Sequence, residues 1–408
     1  MVSFDMFESA GAGVVALLLG MFLTRKVHFL KRFCIPAPVS GGLIISILVL
    51  CLYSFAGIEC GFDPTVKDIS MMLFFTSVGF QCDFKAIRKG GRPLVVMILL
   101  VAGLTLFQNL ISVGIAKGLG MSPLFGMGAG SIPMCGGHGT SGGFAPLLER
   151  MGLEGAGTIT MAAATFGLVA GSLLGGPLAE MLIRRHRLAD ESGDSDVIKG
   201  IEASAASPGS GKAVPKSEEN AFREWVMAIC MLFVAMALGS GLSKLLEMTG
   251  ITFPTYFGSL LAACALRNIL GLSPKAVEAL SLPKTVFIGD ISLQLFLGMA
   301  MCSLRLWELS SLALPLCLIL AAQVAFMALY AVAAAFPLLG KSYDSALLVS
   351  GLCGFGLGAT PNAMANMSAV CFKYHYSAGP FLVVPVIGAM FVDIINTGVV
   401  TLFLNLVH

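Results

Sequence analysis

The stretches CGGHGTSGG (Cys135–Gly143) and CGFGLGATPNAMANM (Cys353–Met367) lie inside apolar sequence, at matching places in the two halves of the chain. Glycine at this density, with Pro361 in the second stretch, opposes an uninterrupted helix. Non-helical backbone at membrane depth is tolerated only where protein or a wet cavity satisfies its polar groups. A matched pair of such breaks points to the substrate site of a secondary transporter.

The surrounding composition supports a membrane setting. The chain is 57% hydrophobic and 12% charged, with a mean hydropathy of +0.90. Its longer apolar runs, Val14 to Leu23, Val39 to Phe55, Leu94 to Ile115, Thr158 to Ile183 and Trp225 to Leu246, reach or approach the ~20 residues that cross the hydrocarbon. Asp5 and Glu8 precede the first run and Arg25 and Lys26 follow it, so it reads as a span rather than a signal peptide. The net charge of +2 says nothing about nucleic acid, and the absence of a basic stripe of interleaved aromatics argues against it as a partner. Eleven cysteines, mostly single within apolar runs and without CxxC spacing, argue against structural disulfides and metal clusters.

The predicted fold is an all-α polytopic membrane protein of two inverted-topology repeats, each with five spans and one re-entrant hairpin. Residues 1–183 form the first repeat, with its re-entrant loop around 121–147. Residues 225–408 form the second, with its loop around 343–368. Between them, 184–224 is a cytoplasmic linker whose Ser, Gly, Ala and charge leave too little apolar content to fold alone. With the N-terminus outside, only Lys67, Lys117, Arg150, Lys244 and Arg305 of the 25 basic residues fall on the outer side. That bias satisfies the positive-inside rule and leaves both termini outside. Internal likeness supports the repeat: Asp68-Ile-Ser-x-x-Leu-Phe74 recurs as Asp290-Ile-Ser-x-x-Leu-Phe296, IPAPVSGGL from Ile35 resembles FPTYFGSLL from Phe253, and Thr140 matches Thr360. The offset stays near about 220 residues throughout. Five spans per half is odd, so the second copy is inverted, the usual construction of ion-coupled carriers.

Within the first break, Gly136, Gly137 and Gly139 allow backbone to approach a ligand, and His138 and Thr140 add side-chain donors. His138 fits a packing histidine and a ligand-contacting one equally. In the second break, Gly358, Thr360, Pro361 and Asn362 take the corresponding role. If the stretch after Pro361 is helical, Asn362 and Asn366 share one face and its N-terminal amides point into the cavity. A helix N-terminus attracts a carboxylate, so two half-helix ends meeting at mid-membrane make an anion site. Glycine for tight helix packing is the competing explanation. Asp393 lies deep in GAMFVDIINTGVV, where a carboxylate costs ~2.5–3.5 kcal/mol on the insertion scale and usually binds an ion or proton. It is the candidate sodium ligand, with Asn396 at i+3 on its face and Asn366 as a further candidate. Gln108, Asn109 and Gln323 read as interhelical hydrogen-bonding residues. Asp68 and Asp290 read as helix N-caps near opposite interfaces, without a transport role. Pro36 and Pro254 read as the openings of spans 2 and 7.

Other classes fit less well. Gly139-Thr-Ser-Gly142 matches the GxSG of rhomboid-type intramembrane serine proteases, but no histidine is placed deep in another span to serve as base. HExxH and GxxxxGK[ST] are both absent, against a zinc protease and a P-loop pump. A channel is disfavoured, because no repeated carbonyl-filter sequence is present.

SIPMCGGHGT, GLCGFGLGATPNAMANM and FLVVPVIGAMFVDIIN, with FLKRFCIPAPVSGGL, ATFGLVAGSLLGGP and LWELSSLALP, resemble the bacterial sodium/glutamate symporters over nearly the whole chain. The resemblance implies sodium-coupled L-glutamate uptake across the bacterial inner membrane, with sodium as coupling ion and no cofactor. It also implies a homodimer in lipid, and elevator-like movement of a transport domain against a scaffold. It assigns the translocation site to the two glycine-rich loops, here Gly136 to Thr140 and Gly354 to Asn366. The chain departs from the family pattern at Cys135, where Ser is expected, at Asn362, where Thr is expected, and at Asp290, where a neutral polar residue is expected. Another small dicarboxylate or amino acid is the alternative substrate.

Overall fold

The computed structural model describes residues 2–188, 218–248, 253–271, 281–309 and 312–407. Its regular structure is helical apart from β1 (Val2–Phe4), which pairs in parallel with β2 (Cys60–Phe62). This three-residue pair is a small addition to a helical fold. Stacking of Phe4 on Phe62 at 5.0 Å, and a bond from the Asp63 amide to Ser9 Oγ at 2.8 Å, hold the two pieces together.

Helix α1 (Met6–Lys26) starts at a capping box, in which the Asp5 carboxylate accepts from Phe7 and Glu8 amides and Glu8 reaches back to the Asp5 amide. The acidic residues ahead of the first apolar run are thus its cap. Next come α2 (His28–Arg32), α3 (Ala37–Ala56), α4 (Thr65–Gln81) and α5 (Gly91–Gly118). Three pieces, α6 (Pro123–Gly128), α7 (Ser131–Met134) and α8 (Gly137–Arg150), precede the long α9 (Ala156–His186). The second half contains α10 (Glu218–Glu247), α11 (Phe257–Leu270), α12 (Leu282–Cys302), α13 (Ala313–Leu338), α14 (Tyr343–Gly356), α15 (Thr360–Lys373) and α16 (Ala378–Leu406).

Eight helices among the described residues, α1, α3, α5, α9, α10, α12, α13 and α16, are long and apolar enough to cross a membrane, which makes this a multi-pass membrane protein. At the other two predicted crossings stand α4, with 17 residues, and α11, with 14. These are at or below the lower end of spanning length. The linker prediction also shifts, because 184–186 belong to α9 and 218–224 to α10. The remainder of that segment, 189–217, lies outside the described residues.

Close packing runs within two sets of helices. One comprises α1, α3, α4, α10, α11 and α12; the other comprises α5 to α9 and α13 to α16. Between the sets, α12 lies along α8, and α4 meets the π-helical turn Ile387–Phe391 inside α16. In the first set, α1 and α3 approach so closely that a side chain at Gly41 would collide with the Ala16 carbonyl. In the second, Gln108 on α5 donates to the Gly356 carbonyl at 2.8 Å, and Gln323 on α13 donates to the Gln108 carbonyl at 2.7 Å. Asn109 Oδ1 accepts from the Ser131 amide at 2.9 Å. The three amides are therefore interhelical ties, as their depth in apolar spans predicts.

Prolines open spans 2 and 7 as predicted, with Pro36 the residue before α3 and Pro254 just ahead of α11. The two repeated aspartates do not act as caps. Asp68 lies inside the first turn of α4, where the capping contact comes instead from Asp63, whose carboxylate accepts from the Thr65 amide at 2.8 Å. Asp290 lies two turns inside α12, because that helix begins at Leu282.

Candidate substrate and cation site

Both glycine-rich stretches contain a helix break, and each break is narrower than its composition suggests. In the first, the short turn Cys135–Gly136 separates α7 from α8, and Gly137, with φ +62°, is the residue out of helical conformation. His138 to Gly143, expected as open backbone, is helical. Several of these glycines serve packing instead: a side chain at Gly142 would meet Phe296, and one at Gly143 would meet Tyr256. In the second, α14 ends at Gly356 and α15 starts at Thr360, leaving Leu357–Ala359 as the break. The breaks touch each other, since a Cβ at Gly137 would sit 2.8 Å from the Gly358 carbonyl oxygen.

A cavity of about 330 Å³ opens where they meet. From the first break it is lined by Cys135, Gly136, Gly137, His138, Gly139 and Thr140, and from the second by Gly358, Ala359, Thr360 and Pro361. Asp393 and Gly388 of α16 complete that side; Phe74, Val78 and Gln81 of α4 and Asp290, Leu293 and Leu297 of α12 form the opposite wall. Thr140 Oγ1 donates to Asp393 Oδ1 at 3.2 Å. The π turn at Ile387–Phe391 lies immediately before Asp393, an interruption of the kind found at functional sites. The N-termini of α8 and α15 both end on this cavity, so two positive helix ends are presented to it.

Three predicted site residues are not on its wall. Asn362 and Asn366 do share a face of α15, but that face is turned to α9, where their Nδ2 atoms donate to the Leu168 and Gly171 carbonyls, each at 2.9 Å. They dock the second hairpin on α9, away from the cavity wall where Asn362 was expected. Asn396 is fully buried, with Nδ2 donating to the Ser131 carbonyl at 3.0 Å. Asn396 Oδ1 and Ser131 Oγ are both buried without a hydrogen-bond partner. His138 is on the wall, and its Nε2 is 3.0 Å from Thr165 Oγ1, so α9 fixes the ring. Ser141, the serine of the protease-like match, is fully buried and donates to the Thr160 carbonyl at 3.3 Å.

A larger cavity, about 540 Å³, lies further along α8 and α12, with Gly142, Met161 and Ala300 on its wall together with Lys67, Glu149, Arg305 and Glu308. The two cavities share no lining residue. Phe296 packs against Gly142 of the larger cavity's wall.

The model of the sodium/glutamate symporter family matches residues 2–376. The chain belongs to this family. It is 38% identical to a sodium/glutamate symporter of Escherichia coli over 407 residues, covering 100% of this chain and 99% of that protein. A sodium/glutamate symporter of Haemophilus influenzae is 37% identical, with 97% and 96% covered. Among solved structures, a sodium proton antiporter of Methanocaldococcus jannaschii matches with a TM-score of 0.43 and 16% identity, covering 99% and 98%.

Within this family member, sequence reasoning missed the far wall of the cavity. Gln81 and Asp290 come from helices that carry no glycine-rich break, and the DISxxLF motif they share was read only as a sign of the repeat. The available signal was the charge of Asp290 between apolar runs in TVFIGDISLQLF, a pattern that marks a functional position in a membrane helix.

Proposed function

We propose that the protein is a secondary transporter that couples sodium entry to uptake of L-glutamate. Membership of the sodium/glutamate symporter family carries this reading, and the cavity between the two hairpin tips supplies its site. The substrate carboxylates are held by the amides at the starts of α8 and α15, with Gly136, Gly137, Gly139, Gly358 and the Thr360 hydroxyl lining the path. A helix N-terminus stabilises an anion without a buried lysine. Sodium binds at Asp393 with the Thr140 hydroxyl; Asn396 Oδ1 and Ser131 Oγ, unpaired one turn deeper, extend the oxygen set. Each net positive charge that enters with the substrate gains ~2.3 kcal/mol per 100 mV of membrane potential.

Movement is assigned to the two helix sets. The set of α5 to α9 and α13 to α16 is the transport domain, and α1, α3, α4, α10, α11 and α12 are the scaffold. Each set takes corresponding helices from both halves, which supports the inverted repeat. Lys373 pairs with Glu180 on the face assigned inside, and Arg305 with Glu59 on the face assigned outside. The distribution of basic residues is what supports both termini lying outside, in the bacterial inner membrane. On this orientation the site cavity, with Gln81 and Asp290, reaches inward, while Lys67 and Arg305 line the outer one. An elevator displacement of the hairpins past α4 and α12 would exchange the access of the two cavities. Pairing of two copies rests on family resemblance, and a cross-linker that recovers only monomer from membranes would remove it.

Calorimetric titration of the purified protein tests the binding step. L-Glutamate is expected to bind in sodium and to lose at least tenfold in affinity when choline replaces it. Equal affinity in the two salts would uncouple the ion from the substrate.

A further inference from the structure

The scaffold side of the cavity carries one charge that the proposed mechanism does not use. Asp290 lies two turns into α12, with Leu293 and Leu297 on the same helical face, and all three line the cavity. Among the described residues no hydrogen bond or ion pair reaches the Asp290 carboxylate. The cavity lining contains, among the described residues, no lysine or arginine beside its two carboxylates, Asp290 and Asp393. Asp290 is exposed on the cavity wall, and a carboxylate there without a protein partner is open to a ligand that brings a positive group to it.

Building on the proposed function, we infer that Asp290 receives the ammonium group of the substrate, so that the cavity selects amino acids over dicarboxylates that lack an amine. The hairpin tips offer amides and helix N-termini, which suit carboxylates and repel an ammonium. The opposite wall offers a lone carboxylate, which does the reverse. Sodium is the poorer occupant at Asp290. A dehydrated alkali cation needs several oxygen ligands, whereas Phe74, Val78, Leu293 and Leu297 supply none from their side chains, and Gln81 is the one neutral polar side chain from α4 and α12 on this wall. The α12 carbonyls beside Asp290 are committed to helical hydrogen bonds. An ammonium needs only the carboxylate and completes its bonding with water. Asp393, with Thr140 as a direct neighbour, keeps the sodium role.

The test compares L-glutamate with glutarate, which has both carboxylates and no amine, on full-length protein in nanodiscs at fixed sodium. D290N is expected to weaken glutamate binding about tenfold or more, to leave glutarate unchanged or tighter, and to leave the sodium half-saturation concentration unaltered. D290E, which keeps the charge but moves it by one methylene, is expected to retain preference for glutamate over glutarate. It also serves as the folding control if D290N cannot be purified, since loss of that preference in D290E would overturn the assignment. Equal weakening of both ligands in D290N, or no change in either, would also overturn it. A lowered sodium Hill coefficient with unchanged glutamate affinity would make Asp290 a cation ligand instead. Failure of wild-type protein to bind glutamate would overturn the proposed function itself, and this assignment with it.

Discussion

Asp393→Asn is expected to raise the sodium concentration for half-maximal uptake ~10–100-fold while the protein remains folded. The carboxylate accepts from Thr140 Oγ1 at 3.2 Å and faces the cavity at the meeting point of both hairpins. A carboxamide keeps the size and an oxygen for that hydroxyl, so local packing survives. It removes the one charge on the hairpin side of the cavity able to balance sodium. A hydrogen bond or contact to a charged group is worth about 1.5–3 kcal/mol, and each 1.4 kcal/mol is tenfold in affinity. Initial rates of labelled glutamate uptake, measured against sodium concentration, check the shift, with size-exclusion profiles confirming the fold. Unaltered sodium activation would take Asp393 out of the mechanism.

Gly137→Val is expected to reduce uptake by at least tenfold with the variant still inserted. Gly137 has φ +62° and sits where the first hairpin meets the second. A left-handed backbone costs a side chain about 1–2 kcal/mol. The Cβ would also stand 2.8 Å from the Gly358 carbonyl oxygen, so the tips must separate. Separation moves the α8 and α15 N-termini apart and displaces Thr140 from Asp393. Gly152, also at positive φ with open space around its Cβ position, provides the control. Gly152→Ala carries similar backbone strain without a contact at the site and should retain most of its transport. Equal losses in the two variants would attribute the defect to stability rather than to the meeting of the hairpins.

Composition and the spacing of apolar runs made the membrane helices legible, because lipid permits few alternatives to a helix. The extent of each break was not legible. Glycine in a membrane protein serves both broken backbone and close helix contact, and only the neighbours Phe296 and Tyr256 show that Gly142 and Gly143 do the second. Asn362 and Asn366 were correctly placed on one face, but helical phase cannot say which neighbour that face meets. Leu168 and Gly171 of α9 occupy it. Asp290 was misread because the start of α12 was placed too near it. The pairing of β1 with β2 escaped notice because three residues are too few to show alternation.

Uptake of labelled L-glutamate into proteoliposomes, at fixed pH, with and without an inward sodium gradient, tests the coupling most directly. The account predicts accumulation above the external concentration that requires the gradient and collapses when an ionophore dissipates it. Accumulation that ignores sodium, or none by well-reconstituted protein, would contradict it.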